Sequence, residues 1–585
     1  MINFEILDRD ANGRITKISH NGKSIALPDI AIVFNPVKLL IKPADAAKEF
    51  KIKLMITNSY IIKKHKDVLE KISAAGGLHS FFSFKDFIMT DSGAYQAMFG
   101  GTVHATNEEI VNLQKVLKPD IAVFLDVPTA ELSGSAAAQT VEQTIARAKE
   151  TKEMVSRDAE LQKILWAGPV QGGSNLKLLE KSAKTMAALD FDVYPVGSIV
   201  PRLMKYDFLT VAEMLLNVRK NVPASKPIHA FGLGLPQAMS FFVALGADIF
   251  DCAGYALFAY DDRYMSLEGT HRLSDLYTFP CNCPLCSRAE PKDVLEMPKA
   301  ERELWLARHN LYVTFQEIKT IRTAIKENWL WELVQQRART HPNILMALRH
   351  VLKKYSKYLM QFEPITKKSA LQWSGEESLL RPEIMRAKEM LKRFKGRTKK
   401  IQRAPYGKIP SALLYRYPFG QCIFPENKEE RVSSDPKKIV SDLIDFQFSN
   451  GAAKLLGGFR VEISKTSRIR KIYTNDGKFL GTIRPSDGVF VPSMLAAEKM
   501  FKRMKKVRAS EDAIEFILEG KSLFSKFAEP LNVIYPLEEV AVVDGKGRLI
   551  AIGIALLNSN EMKEFKRGVA VCVREARKPE ETHDL

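Results

Sequence analysis

Three cysteines and a histidine stand at metal-ligand spacing: Cys281, Cys283 and Cys286 in "FPCNCPLCS", then His309 in "WLARHNLYV" after twenty-two intervening residues. Three thiolates and one imidazole make a closed tetrahedral set suited to structural zinc, with no position left open for a substrate. Six cysteines in 585 residues, three of them bunched, do not read as a secreted disulfide scaffold. Chemistry on a substrate therefore belongs elsewhere. The second set of candidates is Asp91, Asp126, Gln171, Gly172, Gly173, Gly197, Gly232 and Asp251, with Tyr95 and Phe231 beside them. Carboxylates can move protons or attack carbon, and glycines let a planar ligand approach the backbone. Aromatics either pack under loops or stack a flat base.

The second set falls at the ends of apolar, strand-length runs between residues 50 and 260: "KLMITNS", "DFIMTDSG", "DIAVFLDVP", "ILWAGPVQGG", "DVYPVGS", "PIHAFGLG" and "ADIFDCAG". Each is followed by an amphipathic segment. One of these carries Thr106 and Glu109 at capping-box spacing. Seven or eight alternations in roughly 250 residues favour a (β/α)8 barrel of the TIM type over an open doubly wound sheet. In such a barrel the C-terminal strand ends share one mouth, so residues distant in sequence converge. A single Asp there is as readily a helix N-cap, but three at one rim are not. Asp248, in the same run as Asp251, reads as structural. No G-x-G-x-x-G with a following acid argues for a dinucleotide, since "GLGLP" is too short and ends in proline. His309 falls in a polar, helix-like run.

Lys and Arg total 87 against 68 Asp and Glu, a net charge of +19 and a pI near 9.4. That excess predicts a polyanionic partner, most simply nucleic acid. Two basic runs, 386–403 and 502–508, carry part of it. No stretch approaches the ~18 apolar residues of a membrane span and the first residues lack signal-peptide character, so a cytoplasmic protein is expected. Residues 1–340 form the expected barrel domain with a zinc segment at 279–310. A helical module with a Pro-rich linker or extended element (403–426) is expected over 341–435, a small α+β module over 436–508 and a final module over 509–585. Cys422 and Cys572 have no metal-spaced partners and read as core or near-core thiols.

The motifs "TDSGAYQ", "FLD", "VQGG", "PVGS", "IFDCAGYALFA" and "CNCPLC…H", in this order over about the first 330 residues, resemble the tRNA-guanine transglycosylases. The last part of the chain, from "EGKSLFSKFAEP" onward, looks like a PUA domain, a small β-barrel that binds RNA. That arrangement is similar to the archaeal branch, which exchanges guanine 15 in the tRNA D-arm for 7-cyano-7-deazaguanine (preQ0), toward archaeosine. The resemblance implies Asp251 as nucleophile on ribose C1′ and Asp91 as the acid and base for the purines. It assigns Asp126, Gln171 and Gly197 to the base edge and Tyr95 and Phe231 to a sandwich around the ring. It further implies one structural zinc per subunit on Cys281, Cys283, Cys286 and His309, a homodimer, and tRNA gripped by the C-terminal modules. Arg263 would reach a phosphate near the target or remain a surface arginine. The alternatives are a queuine-type enzyme acting at the anticodon wobble position, a non-catalytic tRNA-binding paralogue, and an ordinary barrel glycosidase or metal hydrolase. The last leaves the +19 charge unexplained.

Overall fold

Strands β1 (Asn3–Asp10), β2 (Gly13–His20) and β3 (Lys23–Leu27) form a sheet of their own ahead of the barrel. The computed structural model describes residues 3–94, 104–394, 399–427, 435–465 and 468–577. The chain divides into two units, one comprising 1–8, 13–326 and 333–351, the other 9–12, 327–332 and 352–585.

In the first unit, eight parallel strands follow: β4 (Asp29–Val33), β5 (Leu54–Asn58), β6 (Phe87–Asp91), β7 (Ile121–Val123), β8 (Leu165–Ala167), β9 (Tyr194–Val196), β10 (Ile228–Ala230) and β11 (Ile249–Cys252). Their order is β8-β7-β6-β5-β4-β11-β10-β9. Bridges Ala167↔Val193 and Val170↔Val196 join β8 to β9, so the sheet closes on itself as the expected TIM-type barrel. Strands buried on both faces read as unbroken apolar runs rather than alternating ones, which is why seven were visible. The eighth, β4, lies before residue 50, outside the repeat read from sequence, and pairs with β11. Around the barrel, the helix Asn107–Leu117 begins on the capping box expected at Thr106 and Glu109 and buries Ile110, Val111 and Leu117.

Acids at the strands' N-terminal ends are each neutralised by a cation. Asp29 pairs with Arg322 at 3.2 Å, Asp120 with Lys23 at 2.7 Å, and Asp248 with Arg14 at 2.8 Å. Asp248 also accepts from the Ile228 backbone N–H at 2.9 Å, tying β11 to β10 as the structural residue it was expected to be.

In the second unit, the Pro-rich stretch is an extended element packed into a core. The hairpin Lys400–Arg403 and Gly407–Pro410 leads to buried Ile409, Leu413, Phe419, Cys422 and Phe424, which join the helix Pro436–Phe448 in one cluster. A four-stranded sheet runs from Phe459 to Pro492, and a six-stranded sheet takes in Lys505–Ala509, ahead of the boundary expected at 509. Lys367 is buried among Asp10 (2.7 Å), Glu363 (2.5 Å) and Glu383 (3.5 Å), and Arg381 joins Glu383 and Glu332. Cys422 is buried as expected, but Cys572, on the strand Val569–Ala576, is exposed. The basic runs are partly spent internally. Arg386 is buried against the Glu363 and Pro364 carbonyls, while Lys505 pairs with Glu538 and Arg508 with Glu529. Among the described residues, no helix is long and apolar enough to cross a membrane.

Candidate active site and metal centre

The carboxylates at the opposite rim carry no Lys or Arg ion pair among the described residues. Asp91 ends β6; its Oδ2 accepts from Asn58 Nδ2 at 3.0 Å, Asn58 being its register partner at the end of β5. Asp126, buried three residues beyond β7, accepts from Ser92 Oγ at 3.1 Å and from Gln171 Nε2 at 2.6 Å. Asp251, on β11, directs Oδ1 at two donors, His229 Nε2 at 2.8 Å and the Gly232 backbone N–H at 2.6 Å. Asp251 Oδ2 has no hydrogen-bond partner among the described residues.

These acids feel one another. Burial raises Asp91 to a pKa of about 7, and the nearby charges of Asp126 and Asp251 add to the shift. Asp126 is also raised, chiefly by burial, against which its bonds from Gln171 and Ser92 act. Three acids thus share one rim, one of them raised toward neutral pH, a perturbation that marks candidate functional sites.

The glycines have local reasons. A Cβ on Gly197 would sit 2.3 Å from Gln171 Nε2, so only backbone fits against that amide. The Gly197 N–H is committed to the Val170 carbonyl at 3.0 Å. Gly232 adopts φ +82°, the left-handed turn that aims its N–H at Asp251. Gly172 and Gly173 also have positive φ, at the turn after Gln171. Phe231 lies partly exposed with its ring 4.5 Å from that of His229. Tyr95 falls outside the described residues. Arg263 bonds Thr270 Oγ1 at 2.7 Å, across the hairpin of β12 (Arg263–Met265) and β13 (Thr270–Arg272).

Four residues were missed in sequence. Asn58 ends the run "KLMITNS" just as the acids end theirs, while Ser92 and Ser198 sit inside "TDSG" and "PVGS". Ser198 donates to Gln171 Oε1 at 2.7 Å. His229, wholly buried, was a polar residue in an apolar run two positions before an aromatic, a signal of an inward-facing functional group.

The potential ligand atoms of Cys281, Cys283, Cys286 and His309 all lie within 4.8 Å of one another. His309 Nδ1 is 3.2 Å from Cys286 Sγ, and its Nε2–H donates to the Met265 carbonyl at 2.8 Å. That second bond fixes the tautomer and turns the Nδ1 lone pair toward the thiols, as metal-binding histidines require. Tyr264 stacks on the imidazole at 3.8 Å, and Asn310 Oδ1 accepts from the Met265 N–H at 2.9 Å. The donor set fits a metal ion held between the knuckle, the β12–β13 hairpin and the helix Lys299–Glu327.

A family model described as queuine tRNA-ribosyltransferase matches residues 9–343, more than half of the chain. The chain belongs to the tRNA-guanine transglycosylase family. Transglycosylases are pentosyltransferases, and both the acidic rim and the Cys3His cluster fall inside that match. Further models cover the rest: the C1 domain of tRNA-guanine transglycosylase dimerisation at 364–430, the patch-forming domain C2 of tRNA-guanine transglycosylase at 438–506, and a PUA domain at 505–576. The PUA match coincides with the six-stranded sheet. Three relatives are named tRNA-guanine(15) transglycosylase. That of Korarchaeum cryptofilum is 39% identical over 96% of this chain and 95% of its own length. The Pyrococcus furiosus protein is 38% identical over 98% of each, and the Methanocaldococcus jannaschii protein 36% identical over 98% and 99%.

Proposed function

We propose that this transglycosylase exchanges guanine 15 in the tRNA D-arm for preQ0 by double displacement. The observation that carries the reading is the pairing at one rim of an acid with a pKa of about 7, Asp91, with a carboxylate whose second oxygen has no hydrogen-bond partner among the described residues, Asp251. Asp251 Oδ2 attacks ribose C1′ as the C1′–N9 bond breaks, and Asp91 gives its proton to the departing guanine. PreQ0 then loses its N9 proton to Asp91, N9 attacks C1′, and the ester bond to Asp251 breaks. Two inversions give retention, and the phosphodiester chain stays intact. Asp126, Gln171 and the Gly197 carbonyl read the purine edge, and Phe231 with Tyr95 stacks the ring.

The full-length likeness to proteins named for guanine 15, together with the PUA match, favours the D-arm over the anticodon. A D-arm guanine must be extruded from the tRNA core, at a cost of a few kcal/mol that phosphate contacts from the basic C-terminal modules offset. Zinc, held by the three thiolates and His309 Nδ1, would supply no chemistry on substrate and would clamp hairpin to helix. The C1 match supports a homodimer, and a tRNA substrate fits a cytoplasmic enzyme.

The test is release of labelled guanine from tRNA labelled either in the D-arm or at the anticodon, with preQ0 present, for the wild type and Asp251→Asn. Release from the D-arm alone, lost in the variant, is expected. Release from the anticodon would transfer the enzyme to the queuine type. Tight tRNA binding with no release from either would leave a non-catalytic paralogue.

A further inference from the structure

His229 is wholly buried on β10, and its backbone pairs with Ile249, two residues before Asp251 on β11. Side chains two apart on a strand share a face, so the imidazole rises beside the carboxylate and places Nε2 2.8 Å from Asp251 Oδ1. A carboxylate oxygen accepts, so Nε2 carries the proton. Nδ1 is buried with no partner among the described residues. With the Nε2 proton directed at Asp251, the Nδ1 position faces no acceptor among the described residues. An apolar side chain would fill this position without stranding a buried nitrogen, so the bond to Asp251 is what the histidine is there to make.

We propose that His229 is a positioning residue for Asp251, pinning Oδ1 together with the Gly232 N–H so that only Oδ2 is presented to ribose C1′. This rests on Asp251 being the nucleophile. In the ester, Oδ1 becomes the carbonyl oxygen and keeps both donors. When N9 of the incoming base displaces the ester, the negative charge returns to a carboxylate already hydrogen-bonded. The ring of Phe231, the residue proposed to stack the base, lies 4.5 Å from the imidazole.

Three variants of the full-length enzyme separate this from a packing role: His229→Gln, whose amide nitrogen can occupy the Nε2 position, His229→Asn, whose amide stops at the Nδ1 position, and His229→Leu. The readouts are kcat and KM for D-arm-labelled tRNA with preQ0, and the yield of the covalent protein–RNA adduct on denaturing gels. Loss of one hydrogen bond to a charged group predicts kcat about 10- to 100-fold lower for Leu and Asn. KM for tRNA should stay within about two-fold, and Gln should recover most of the rate. Equal activity of Asn and Gln, or a wild-type kcat in Leu, would overturn the assignment. Asp251→Asn is the control. If it still forms the adduct, the nucleophile itself is wrong and the inference falls with it. If only the adduct of Asp251→Asn is lost while the three His229 variants match wild type, the inference alone fails.

Discussion

Gln171 Nε2 donates to Asp126 Oδ2 across 2.6 Å while Ser198 Oγ donates to the opposite end of the same amide at 2.7 Å. A flipped amide would set oxygen against carboxylate, so the side chain has one orientation; under the proposed function its second N–H donates to a purine carbonyl. Ser198 holds this arrangement from a left-handed backbone, φ 62°. Ser198→Ala should raise KM for preQ0 by about five-fold, one neutral hydrogen bond's worth, with a smaller change in kcat. An unchanged KM in steady-state kinetics would contradict the locked amide.

Asp91 makes stability depend on pH. Its pKa rises from 3.8 in the unfolded chain to about 7 in the fold, so between those values the native state holds the extra proton. Its contribution is fully present below pH ~4 and is lost as pH rises through ~7. Asp91→Asn should therefore be inactive yet more stable than wild type at pH 8. The gain is at most about 4 kcal/mol, less to the extent that water reaches this partly exposed carboxyl. The difference should shrink at pH 5 in urea titrations. A variant less stable than wild type at pH 8 would refute the shift.

The metal cluster predicts stoichiometry and stability. Purified enzyme should hold about one zinc per chain, measured by atomic absorption. Cys286→Ser should lower that content and the melting temperature together, and a strong chelator should do the same to wild type. Retention of full metal content by the variant would place the ion elsewhere.

In the second unit, Lys367 is the shared counter-charge for Asp10, Glu363 and Glu383. Lys367→Met should cost about 3–5 kcal/mol at pH 8, the usual result of stranding buried charge. Glu363 already sits at a pKa of about 7, raised chiefly by burial. Lowering the pH protonates it, so the penalty should be smaller at pH 5.5. A penalty independent of pH in denaturant titrations would mean that the carboxylates are solvated after the substitution.

What was legible followed from period and spacing. Strand-length apolar runs ending in Asp91, Asp126 and Asp251 announced a barrel and its mouth, because parallel strands buried on both faces leave an uninterrupted pattern. The metal ligands were legible because three close thiols and a helical histidine have few other uses. What was hidden depended on partners chosen by the fold. β4 lay apart from the repeat, behind the β1–β3 sheet, and His229 gained its meaning only from the register that set it beside Asp251. Cys572 was misread because exposure depends on what the fold packs against a strand, not on residue type, and Arg386, counted in a basic run, caps buried carbonyls.

The pairing of β11 with β4, with Asp251 opposite Ala31, joins the last barrel strand to the first. This is the contact with the largest loop to close, and it repays its entropy only after the intervening strands have formed. Asp251 thus sits at the seam of closure, hydrogen-bonded on one side to His229 and Gly232 and paired on the other with β4.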